Sequence, residues 1–544
     1  MELSEGRRVL ERPGLLPNLA VAVAAVALPA YASIVNMLQF NRYPLLAAEL
    51  WPIYAVVAAA ALAGGALYLA SPRPLRILLE AALVAALVDL NTEGLAPLAA
   101  FAITLLVSIF LRRPLAPLLA FAGLVLFGLC VAGVGIQRRP SPDAPPLAAG
   151  APDRPAILHL ILDEHVGVEG LHADNPRSPQ RREQLKAFYL SHGFHLYGGA
   201  FSRHMRTTNS VPEVMNFGAT QPVRRDNRDG GLAVRRNAYF DRLRTLGYRV
   251  AVYQNGWVNL CAHDREIRCL RYPETGLDGV WETALSRSDK SALVAYNLLA
   301  LSAAGRRIAR WYDRHVIPVA TRMGVRLPPI ANAQHDLTSS LEALRQARRL
   351  TADLAGAQPG QAYVAHLLLP HYPYVAREDC TLKPRREWRH RRQLGDLRQR
   401  EDASFEQVLC ASRIVEEAVA ALERSPARNG FVVIVHGDHG SRITRRDPTA
   451  SQRPDDSDLV ASYATIFAVR APGVAPGYEA AAAPIDRLLA DLVAADFARA
   501  PRPHADDRRI VLEDRLWRPT RAVLMPESWA PVPAPGLQLA ASPR

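Results

Sequence analysis

Several features that would point to common functions are missing from this chain of 544 residues. It contains no glycine-rich nucleotide-binding loop and no internal repeat, so the sequence indicates neither a P-loop or Rossmann-type nucleotide-binding protein nor a repeat protein. Basic residues number 65 against 52 acidic ones, and nearly all of the basic residues are arginine. These charges are scattered, and no basic motif with interleaved aromatic residues is found. We therefore expect no nucleic acid among the partners of this protein.

Cysteine is also scarce, with 5 residues in the whole chain. Cys130 lies in an apolar stretch, where we expect it to pack as a small apolar side chain. The other four form an even set, which is typical of disulfides in an oxidising compartment. We expect the pairs Cys261–Cys269 and Cys380–Cys410, because this connectivity closes the shortest loops. A zinc site is the alternative, although the spacings match no familiar zinc finger.

Long apolar runs, in contrast, fill the N-terminal region. Five of them occur in series, at residues 16–35, 45–69, 75–90, 96–111 and 115–134. A bilayer span needs roughly 17–25 such residues, so the first, second and fifth runs are long enough and the middle two are short. Five runs in series exclude a simple signal peptide. We predict a transmembrane helical domain of about five spans over residues 1–136.

Arginine placement predicts the orientation of this domain. With the N-terminus inside, seven arginines lie on the cytoplasmic side, namely Arg7, Arg8, Arg12, Arg73, Arg76, Arg112 and Arg113. The opposite side holds three, Arg42, Arg138 and Arg139. The positive-inside rule then places the rest of the chain outside the cytoplasm. We expect a multi-pass protein of the inner (cytoplasmic) membrane with an extracytoplasmic domain, whose basic surface suits acidic lipid or glycan substrates.

The remainder of the chain is predicted to form a linker, one large domain and a tail. Residues 137–155 are rich in Pro and Ala and form an extended linker. Across residues 156–500, apolar strand patterns alternate with helical patterns, which predicts an α/β fold with a mainly parallel sheet flanked by helices. The segment 291–318 is either an amphipathic stretch at the membrane surface or an ordinary helix on the sheet. In the tail, 501–544, residues 510–512 and 522–524 are candidate edge strands.

Two apolar strand patterns end in residues that bind metals. The run 431–435 is followed closely by Asp438 and His439, and the run 156–162 by Asp163 and Glu164. In open α/β sheets, ligands bind beyond the carboxyl ends of the strands. These side chains therefore predict a composite metal site at one edge of the sheet.

Three further segments carry candidate site residues. Thr207 and Thr208 precede a helix-like, Pro-containing segment, where a hydroxyl and the helix N-terminus favour an anion, although simple capping is equally consistent. His366 and His371 bracket the end of a third strand pattern, where a structural role is the alternative. The pair Arg203-His204 is close enough in sequence to add positive charge to the pocket.

In their order along the chain, these motifs resemble the sulfatase-like branch of the alkaline phosphatase superfamily, with its membrane-anchored phosphoglycerol and phosphoethanolamine transferases. The residues that carry the resemblance are Leu162-Asp-Glu164, Thr207-Thr208 with Gly218, Pro370-His-Tyr-Pro-Tyr374 and Gly437-Asp-His-Gly440. The resemblance covers about residues 156–500. Five predicted spans before a catalytic domain also look like the arrangement of the lipoteichoic acid synthases. The resemblance implies an alkaline phosphatase-like sheet.

The resemblance also implies roles for individual residues. Asp163, Asp438 and His439 would hold one divalent cation, with Glu164 either a further ligand or a residue facing the pocket. Thr208 would contact the cation and act as the nucleophile. It is preferred over Thr207 because its spacing to Gly218 resembles that of the family. His371, together with His366, Arg203 or His204, would bind substrate and stabilise charge or protonate the leaving oxygen.

The chain departs from the formylglycine sulfatases of this superfamily. They need Cys or Ser before x-Pro-x-Arg, and the nearest segment here is Ser210-Val-Pro-Glu-Val214, which lacks the Arg. We expect one principal metal, for which Mg²⁺, Mn²⁺, Ca²⁺ and Zn²⁺ are all compatible with the ligands.

We expect an extracytoplasmic transferase that moves a phospho-alcohol group from a membrane phospholipid to an envelope glycan or lipid through a phosphothreonine. The alternatives are a hydrolase of phosphate or sulfate esters and a catalytically degenerate protein of envelope assembly.

Overall fold

A computed structural model describes most of the chain. The described residues are 15–89, 95–111, 114–134, 147–219, 224–225, 232–262, 266–272, 277, 279–325, 327, 338–388, 396–446, 448–452, 454–514 and 516–526. They divide into two compact units. The first comprises residues 1–140, 275–335 and 384–386, and the second comprises 141–274, 336–383 and 387–544. Parts of the predicted linker (137–146) and of the predicted tail (527–544) lie outside the described residues.

The helices and strands are numbered in chain order. The helices are α1 (Leu15–Phe40), α2 (Trp51–Ala70), α3 (Arg73–Asp89), α4 (Ala96–Leu111), α5 (Ala116–Val131), α6 (Ser178–Ser191), α7 (Thr207–Met215), α8 (Ala238–Thr245), α9 (Arg287–Ala300), α10 (Ala303–Trp311), α11 (Ile317–Arg322), α12 (Ser339–Leu354), α13 (Leu397–Arg424), α14 (Asp456–Tyr463) and α15 (Ile485–Ala494). The strands are β1 (Ala156–Leu162), β2 (His195–Tyr197), β3 (Ala200–Phe201), β4 (Arg224–Arg225), β5 (Leu232–Ala233), β6 (Arg249–Asn255), β7 (Val258–Asn259), β8 (Arg268–Tyr272), β9 (Gln361–Leu367), β10 (Phe431–Gly437), β11 (Phe467–Arg470), β12 (Gly477–Glu479), β13 (Ala483–Pro484), β14 (Arg509–Glu513) and β15 (Pro519–Leu524).

The N-terminal apolar runs form five helices, α1 to α5, but only two helical stretches in the described part of the chain are long and apolar enough to cross a membrane. They cover Leu16–Phe40 and Ala48–Ala70. The prediction of five spans was therefore wrong in number. The fifth run was expected to be long enough for a span. Its helix α5 has only 16 residues, because residues at both ends of the run are not helical. α4 also has 16 residues, and α3 has 17 but carries charged side chains.

The segment 291–318 belongs to the same compact unit as the N-terminal helices. It forms α9, α10, a π-helical turn over Tyr312–Val316 and the start of α11. α9 packs against α2 and the short 3₁₀ turn that precedes it, and α10 packs against α3. The interpretation as a helix on the central sheet was therefore wrong, because the segment packs against helices of this unit.

An eight-stranded mixed sheet organises the second unit. Its strand order is β12-β2-β11-β10-β1-β9-β6-β8, and the pairs β10–β11 and β11–β2 are antiparallel while the others are parallel. The predicted mainly parallel sheet is thus confirmed, with an antiparallel strand inserted near one edge. Its central strands β1, β9 and β10 are buried at every residue, as expected for strands covered on both faces.

Helices flank this sheet. One apolar cluster contains Ile157 and Ile161 of β1 together with residues of α7, α8 and α15. α12 packs against β9, and α13 packs against β10. The tail strands β14 and β15 pair with each other in a separate antiparallel hairpin, so the prediction that they extend the edge of the main sheet was wrong. Both predicted disulfides, Cys261–Cys269 and Cys380–Cys410, are formed.

Candidate metal centre and nucleophile

Three adjacent strands deliver their polar residues to one place. Asp163 follows β1, His366 lies near the end of β9, and Asp438 follows β10. All three are buried, and one ligand atom from each lies within 4.8 Å of the others. This convergence follows from the parallel register, because residue 161 is paired with His366 on one side and His436 on the other.

Each member of this group has a buried polar atom without a hydrogen-bond partner among the described residues. These atoms are Asp163 Oδ1, His366 Nε2 and Asp438 Oδ2. Because unsatisfied buried polar atoms cost about 1–3 kcal/mol each, the two carboxylate oxygens in one place indicate a missing ligand. Two carboxylates side by side favour a cation as that ligand.

The electrostatics of the two carboxylates support this conclusion. Burial and the charge of Asp163 raise the pKa of Asp438. Burial also acts to raise the pKa of Asp163, but three nearby histidines, His371, His366 and His439, hold it below its usual range. In the protein alone, one carboxyl group therefore tends to stay neutral beside the other. A divalent cation would allow both to be ionised.

His439 presents a nitrogen lone pair to this group. Its Nδ1 lies 2.8 Å from the carbonyl oxygen of Gly440, to which it must donate a proton. Its Nε2 is then a free acceptor, 3.2 Å from Asp438 Oδ2 and 3.9 Å from Asp163 Oδ1. Burial, followed by the charge of Arg442, lowers the pKa of His439 to about 3, so the ring is neutral. A neutral imidazole held in this tautomer is the form that binds metals.

His366 is held in the opposite tautomer. The amide of Asn255 is oriented by its oxygen, which accepts from the backbone N–H of Trp257 at 2.7 Å. Its amide nitrogen therefore faces His366 Nδ1, at 3.0 Å, and donates to it. A neutral His366 then carries its proton on Nε2, directed at Asp163 Oδ2 at 3.6 Å. Although it lies within the cluster, His366 is better suited to donate a hydrogen bond than to ligate a metal.

Thr207 is the hydroxyl that reaches the site. It is the first residue of α7, after Arg206 in extended conformation. Its Oγ1 lies 3.5 Å from Asp163 Oδ2 and 3.3 Å from His439 Nε2. Thr208 is also buried, but the contacts of the described residues do not connect its hydroxyl to these groups. The geometry thus reverses the preference for Thr208 that the spacing to Gly218 suggested.

Glu164 faces a cation of the protein itself. Arg442 Nε donates to Glu164 Oε1 at 2.8 Å, and a second guanidinium nitrogen also contacts that oxygen. Both side chains are largely buried, and both residues have positive φ, 64° and 52°. This partner makes Glu164 a less suitable metal ligand, and we correct its expected role to that of a pocket residue paired with arginine.

His371 completes the rim of the site. Its Nε2 lies 3.9 Å from Glu164 Oε1, its ring stacks on Tyr372 with 4.0 Å between centroids, and its side chain is 14% exposed. It is thus more open to a bound substrate than the buried histidines are. The expectation that His371 meets substrate remains a prediction that this position supports.

Arg203 and His204 lie elsewhere. Arg203 Nε is 3.0 Å from Asp486 Oδ1, and its other nitrogens bind Asp507. His204 lies between Glu513, at 3.2 Å, and Glu213, at 3.5 Å. Both side chains are thus engaged by carboxylates of the protein itself. The expectation that they bind substrate stays a prediction that these contacts do not support.

Two residues of the site escaped the sequence analysis. Arg442 is the third residue after His439, and a basic residue so close to the Asp-His pair was an available signal. Asn255 ends β6, the strand next to β9. Its role could have been inferred only from the strand order.

The chain has matches to solved structures, and those named here are at low identity. No protein-family model matches the chain, and no curated protein matches it. It is similar to the structure of a phosphonate monoester hydrolase of Agrobacterium radiobacter, with 14% identity, a TM-score of 0.38, and coverage of 66% of this chain and 80% of that chain. It is also similar to the C-terminal periplasmic domain of EcEptC from Escherichia coli, with 9% identity, a TM-score of 0.37, and coverage of 70% and 96%.

A second structure of that EcEptC domain, in complex with zinc, has 10% identity, a TM-score of 0.34, and coverage of 64% and 84%. At such TM-scores these similarities carry no argument about function, so the proposal below rests on the geometry of the site.

Proposed function

We propose that this chain is a metal-dependent phosphotransferase that moves a phospho-alcohol group through a covalent phosphothreonine at Thr207. The observation that carries the proposal is the position of the Thr207 hydroxyl, 3.5 Å from Asp163 Oδ2 and 3.3 Å from His439 Nε2. The Asp163 carboxylate within reach of this hydroxyl is an acceptor for its proton. Thr207 also starts helix α7, whose first N–H groups favour a phosphate.

The donor set suits a divalent cation. Asp163, Asp438 and His439 would hold it, since His439 Nε2 lies 3.2 Å from Asp438 Oδ2 and 3.9 Å from Asp163 Oδ1. When bound there, the cation would neutralise the carboxylates and a phosphoryl oxygen and make the hydroxyl more acidic. Carboxylates suit Mg²⁺, Mn²⁺ or Ca²⁺, and the imidazole also suits Zn²⁺.

The residues of the chain support a two-step transfer. In the first step, Thr207 Oγ1 gives up its proton and attacks phosphorus, and the phosphorus–oxygen bond to the first alcohol breaks. His366, which carries its proton on Nε2, is placed to donate a hydrogen bond to the phosphoryl group or the leaving oxygen, and the partly exposed His371 is placed to contact the substrate. In the second step, an acceptor hydroxyl attacks phosphorus, the Thr207 oxygen–phosphorus bond breaks, and Thr207 regains a proton.

The substrates and the compartment belong to the same proposal. Two apolar helical stretches near the N-terminus would anchor the chain in the inner membrane. The two disulfides are typical of an oxidising compartment and support an extracytoplasmic catalytic domain. A membrane phospholipid would be the donor, because an anchored site meets it at the bilayer, and an envelope glycan or lipid would be the acceptor. With water as the acceptor, the same first step would make a hydrolase.

Trapping the covalent intermediate tests the nucleophile. The full chain, purified in detergent, would be incubated with Mn²⁺ and phosphatidylethanolamine or phosphatidylglycerol, and its peptides mapped by mass spectrometry. We expect a phospho-alcohol adduct on Thr207. Thr207→Ala should lose the adduct and reduce lipid turnover by roughly a thousandfold or more, while the matched variant Thr208→Ala should keep both. An adduct on Thr208 would refute the assignment, and absence of any adduct or turnover would refute the enzyme.

Cation binding gives a second, independent prediction. Asp438→Asn should weaken Mn²⁺ binding to the purified chain by more than about 100-fold, because loss of even an outer-shell partner costs 10–100-fold. Isothermal titration calorimetry measures this directly. Asp486→Asn is the control, since Asp486 is equally buried but pairs with Arg203 away from the site. Equal affinity in Asp438→Asn and wild type would contradict the assigned ligands.

A further inference from the structure

A late segment of the first compact unit meets the ends of the N-terminal helices. The backbone N–H of Leu277 donates to Asn41, which directly follows α1. The hydroxyl of Ser291 donates to the carbonyl oxygen of Glu49, in the turn before α2. Because residues 41–50 join α1 to α2, both contacts lie on one side of any membrane that the two helices cross. The chain after Ser291 therefore starts at a membrane surface.

Residues 301–325 continue this chain as two short helices, α10 and α11, joined by a π-helical turn. α10 packs against α3, and the N–H of Ala304 donates at 3.3 Å to Asp89, the last residue of α3. The buried residues of α10 are Gly305 and Ala309, and small residues let a helix pack closely on its neighbour. We refer to residues 301–325 as the surface segment.

The surface segment exposes large apolar side chains along one side. Ile308 and Trp311 of α10 are 57% and 59% exposed. Val319 of α11 and Met323, directly after it, are 53% and 74% exposed. Their spacing is three, eight and four residues, and the π-helical turn takes up one extra residue in the middle step. The four side chains therefore follow one edge of the two helices.

The buried residues, the apolar edge and the arginines of α10 occupy three separate sectors. Successive residues are rotated by about 100°, so Ile308 and Trp311 lie about 60° and 120° to one side of the buried Gly305. Arg306 and Arg310 lie about 100° and 140° to the other side. An apolar edge beside the buried face, with cations on the opposite edge, is typical of a helix that lies in a membrane interface.

The arginines of the surface segment are open to a ligand. They number five, against a single acidic residue, Asp313, which acts electrostatically on the buried Arg385 of the same unit. All five arginines are exposed, and Arg306 donates to the carbonyl oxygen of Ala300 at 2.7 Å. The other four have neither an ion pair nor a hydrogen bond with any residue of the surface segment or of the rest of the described chain, namely Arg307, Arg310, Arg314 and Arg322.

We propose that the surface segment lies in the headgroup region of an anionic phospholipid bilayer. Ile308 and Trp311 enter the boundary with the acyl chains, and the free arginines bind lipid phosphates. Two observations argue for this partner: the segment continues from the point where α1 and α2 reach a membrane surface, and its unpaired cations complement anionic lipid. The inference rests on the membrane anchoring within the proposed function and not on the phosphotransfer.

Charge makes a second copy of the chain a poor occupant of this surface. Two surface segments packed on each other would bring five arginines of each copy together, and Asp313 is the one carboxylate that each could offer. Like charges placed opposite one another in an interface oppose association. A bilayer with anionic headgroups instead provides a phosphate for each guanidinium group and an apolar layer for Ile308 and Trp311.

Site-directed spin labelling of the full chain in nanodiscs tests the proposal. On a Cys130→Ser background, which leaves no free thiol because the other cysteines are paired, the label is placed by Ile308→Cys, Val319→Cys or Arg310→Cys. Collision rates with oxygen, which partitions into lipid, and with a water-soluble nickel chelate are then compared. We expect the oxygen-to-nickel ratio at Ile308 and Val319 to exceed that at Arg310, on the opposite edge, by about threefold or more.

The lipid composition tests the role of the arginines. Nanodiscs of equal phosphatidylglycerol and phosphatidylcholine would be replaced by phosphatidylcholine alone, and the ratio at Ile308 should fall about twofold or more. Arg307→Gln/Arg310→Gln/Arg314→Gln should lower the ratio to the same extent in the anionic nanodiscs. This variant should unfold at the same temperature as wild type, because the three side chains are exposed and unpaired among the described residues.

Leu62→Cys, on the exposed apolar surface of α2, is the reference for a label in the bilayer. If that label is in lipid while the label at Ile308 is as open to the nickel chelate as the label at Arg310, the surface segment stays in water and the proposal fails. Equal ratios in both kinds of nanodisc would refute the anionic partner, and spin–spin broadening at Ile308 would assign the surface to a second copy. A Leu62 label in water would refute the anchoring on which the proposal rests, whereas the Thr207 adduct tests the phosphotransfer separately.

Discussion

At the residue scale, the ion pair Glu164–Arg442 is distinguished by the backbone conformation of both residues. Both residues lie in the left-handed region of backbone conformation, which disfavours side chains other than glycine. The turn at Glu164 is held by its own N–H, which donates to Asp438 Oδ1 at 3.1 Å. Such strain persists only where the surroundings enforce it, and it is concentrated at functional sites. The ion pair adjoins the proposed metal site, because Glu164 follows Asp163 in the chain and its N–H contacts Asp438.

Breaking this pair from one side should be costly. Arg442→Met leaves the carboxylate of Glu164 buried without its partner, and we expect a loss of about 3–5 kcal/mol in unfolding free energy. The double variant Glu164→Gln/Arg442→Met should recover a large part of that loss, because the unpaired charge is removed. Chemical denaturation of the detergent-purified chain gives the comparison. A double variant no more stable than Arg442→Met would contradict a charge-based role for the pair.

The choice between the two threonines also belongs to this scale. Successive residues of an α-helix are rotated by about 100° around its axis, so neighbouring hydroxyls cannot point to the same place. The spacing of Thr207 and Thr208 to Gly218 differs by one residue only, and spacing along the chain does not determine direction. The contacts with Asp163 and His439 do so, and they select Thr207.

At the element scale, helix α7 separates two buried polar groups. Its N-terminus brings Thr207 to the metal-type cluster, while Glu213, one turn and a half along, faces His204 at 3.5 Å. Burial raises the pKa of Glu213 to about 7, and the nearby charge of His204 acts in the opposite direction. The folded helix thus holds a proton on Glu213 over a pH range in which the unfolded chain has released it.

This difference predicts a pH dependence of stability. Since the pKa is raised in the folded state, its stabilising effect is present below about pH 4.5 and is lost as pH rises through about 7. The shift corresponds to roughly 3 kcal/mol. Glu213→Gln should match wild type at the acidic end and be more stable by up to that amount near pH 8. Thermal unfolding of both chains from pH 5 to pH 8 tests this, and parallel curves would contradict it.

The helix boundaries of the N-terminal region were harder to predict than their existence. All five apolar runs became helices, but the length of an apolar run and the length of a helix are different quantities. α5 begins at Ala116 and ends at Val131, shorter than its apolar run at both ends. Hydropathy indicates whether a segment prefers an apolar environment. It does not predict the residue at which a helix ends, because that depends on local backbone geometry.

At the scale of the whole molecule, the chain consists of two compact units with different cysteine use. Cys130 is free and lies in α5 of the first unit, and the two disulfides lie in the second. Disulfides are rare in the cytosol and common outside it. The oxidation state of the four paired cysteines in cells therefore tests the proposed location.

Thiol labelling of the denatured chain makes this measurable. Cells expressing the full chain would be quenched in acid and treated with a maleimide of high mass, before or after reduction. We expect at most one added mass before reduction, at Cys130, and 5 after it. A Cys130→Ser chain should show none before reduction. Labelling of all cysteines without reductant would contradict an oxidising compartment.

The sequence alone determined those properties that depend on local pattern and on strand direction. Apolar, β-branched runs ending in Asp163 and in Asp438-His439 predicted buried parallel strands with ligands at their carboxyl ends, because parallel strands share one edge. The same local reasoning gave the disulfide pairs, since short loops close most readily.

Only the tertiary structure decided which side chains face one another. It placed Arg442 on Glu164, moved Arg203 to Asp486 and Asp507, and brought Trp517 to Trp257 across 260 residues of sequence. These contacts depend on strand order, on rotation about a helix axis and on the folding back of the C-terminal hairpin. None of these quantities has a signature in spacing along the chain, because each is set by packing between segments that are far apart in sequence.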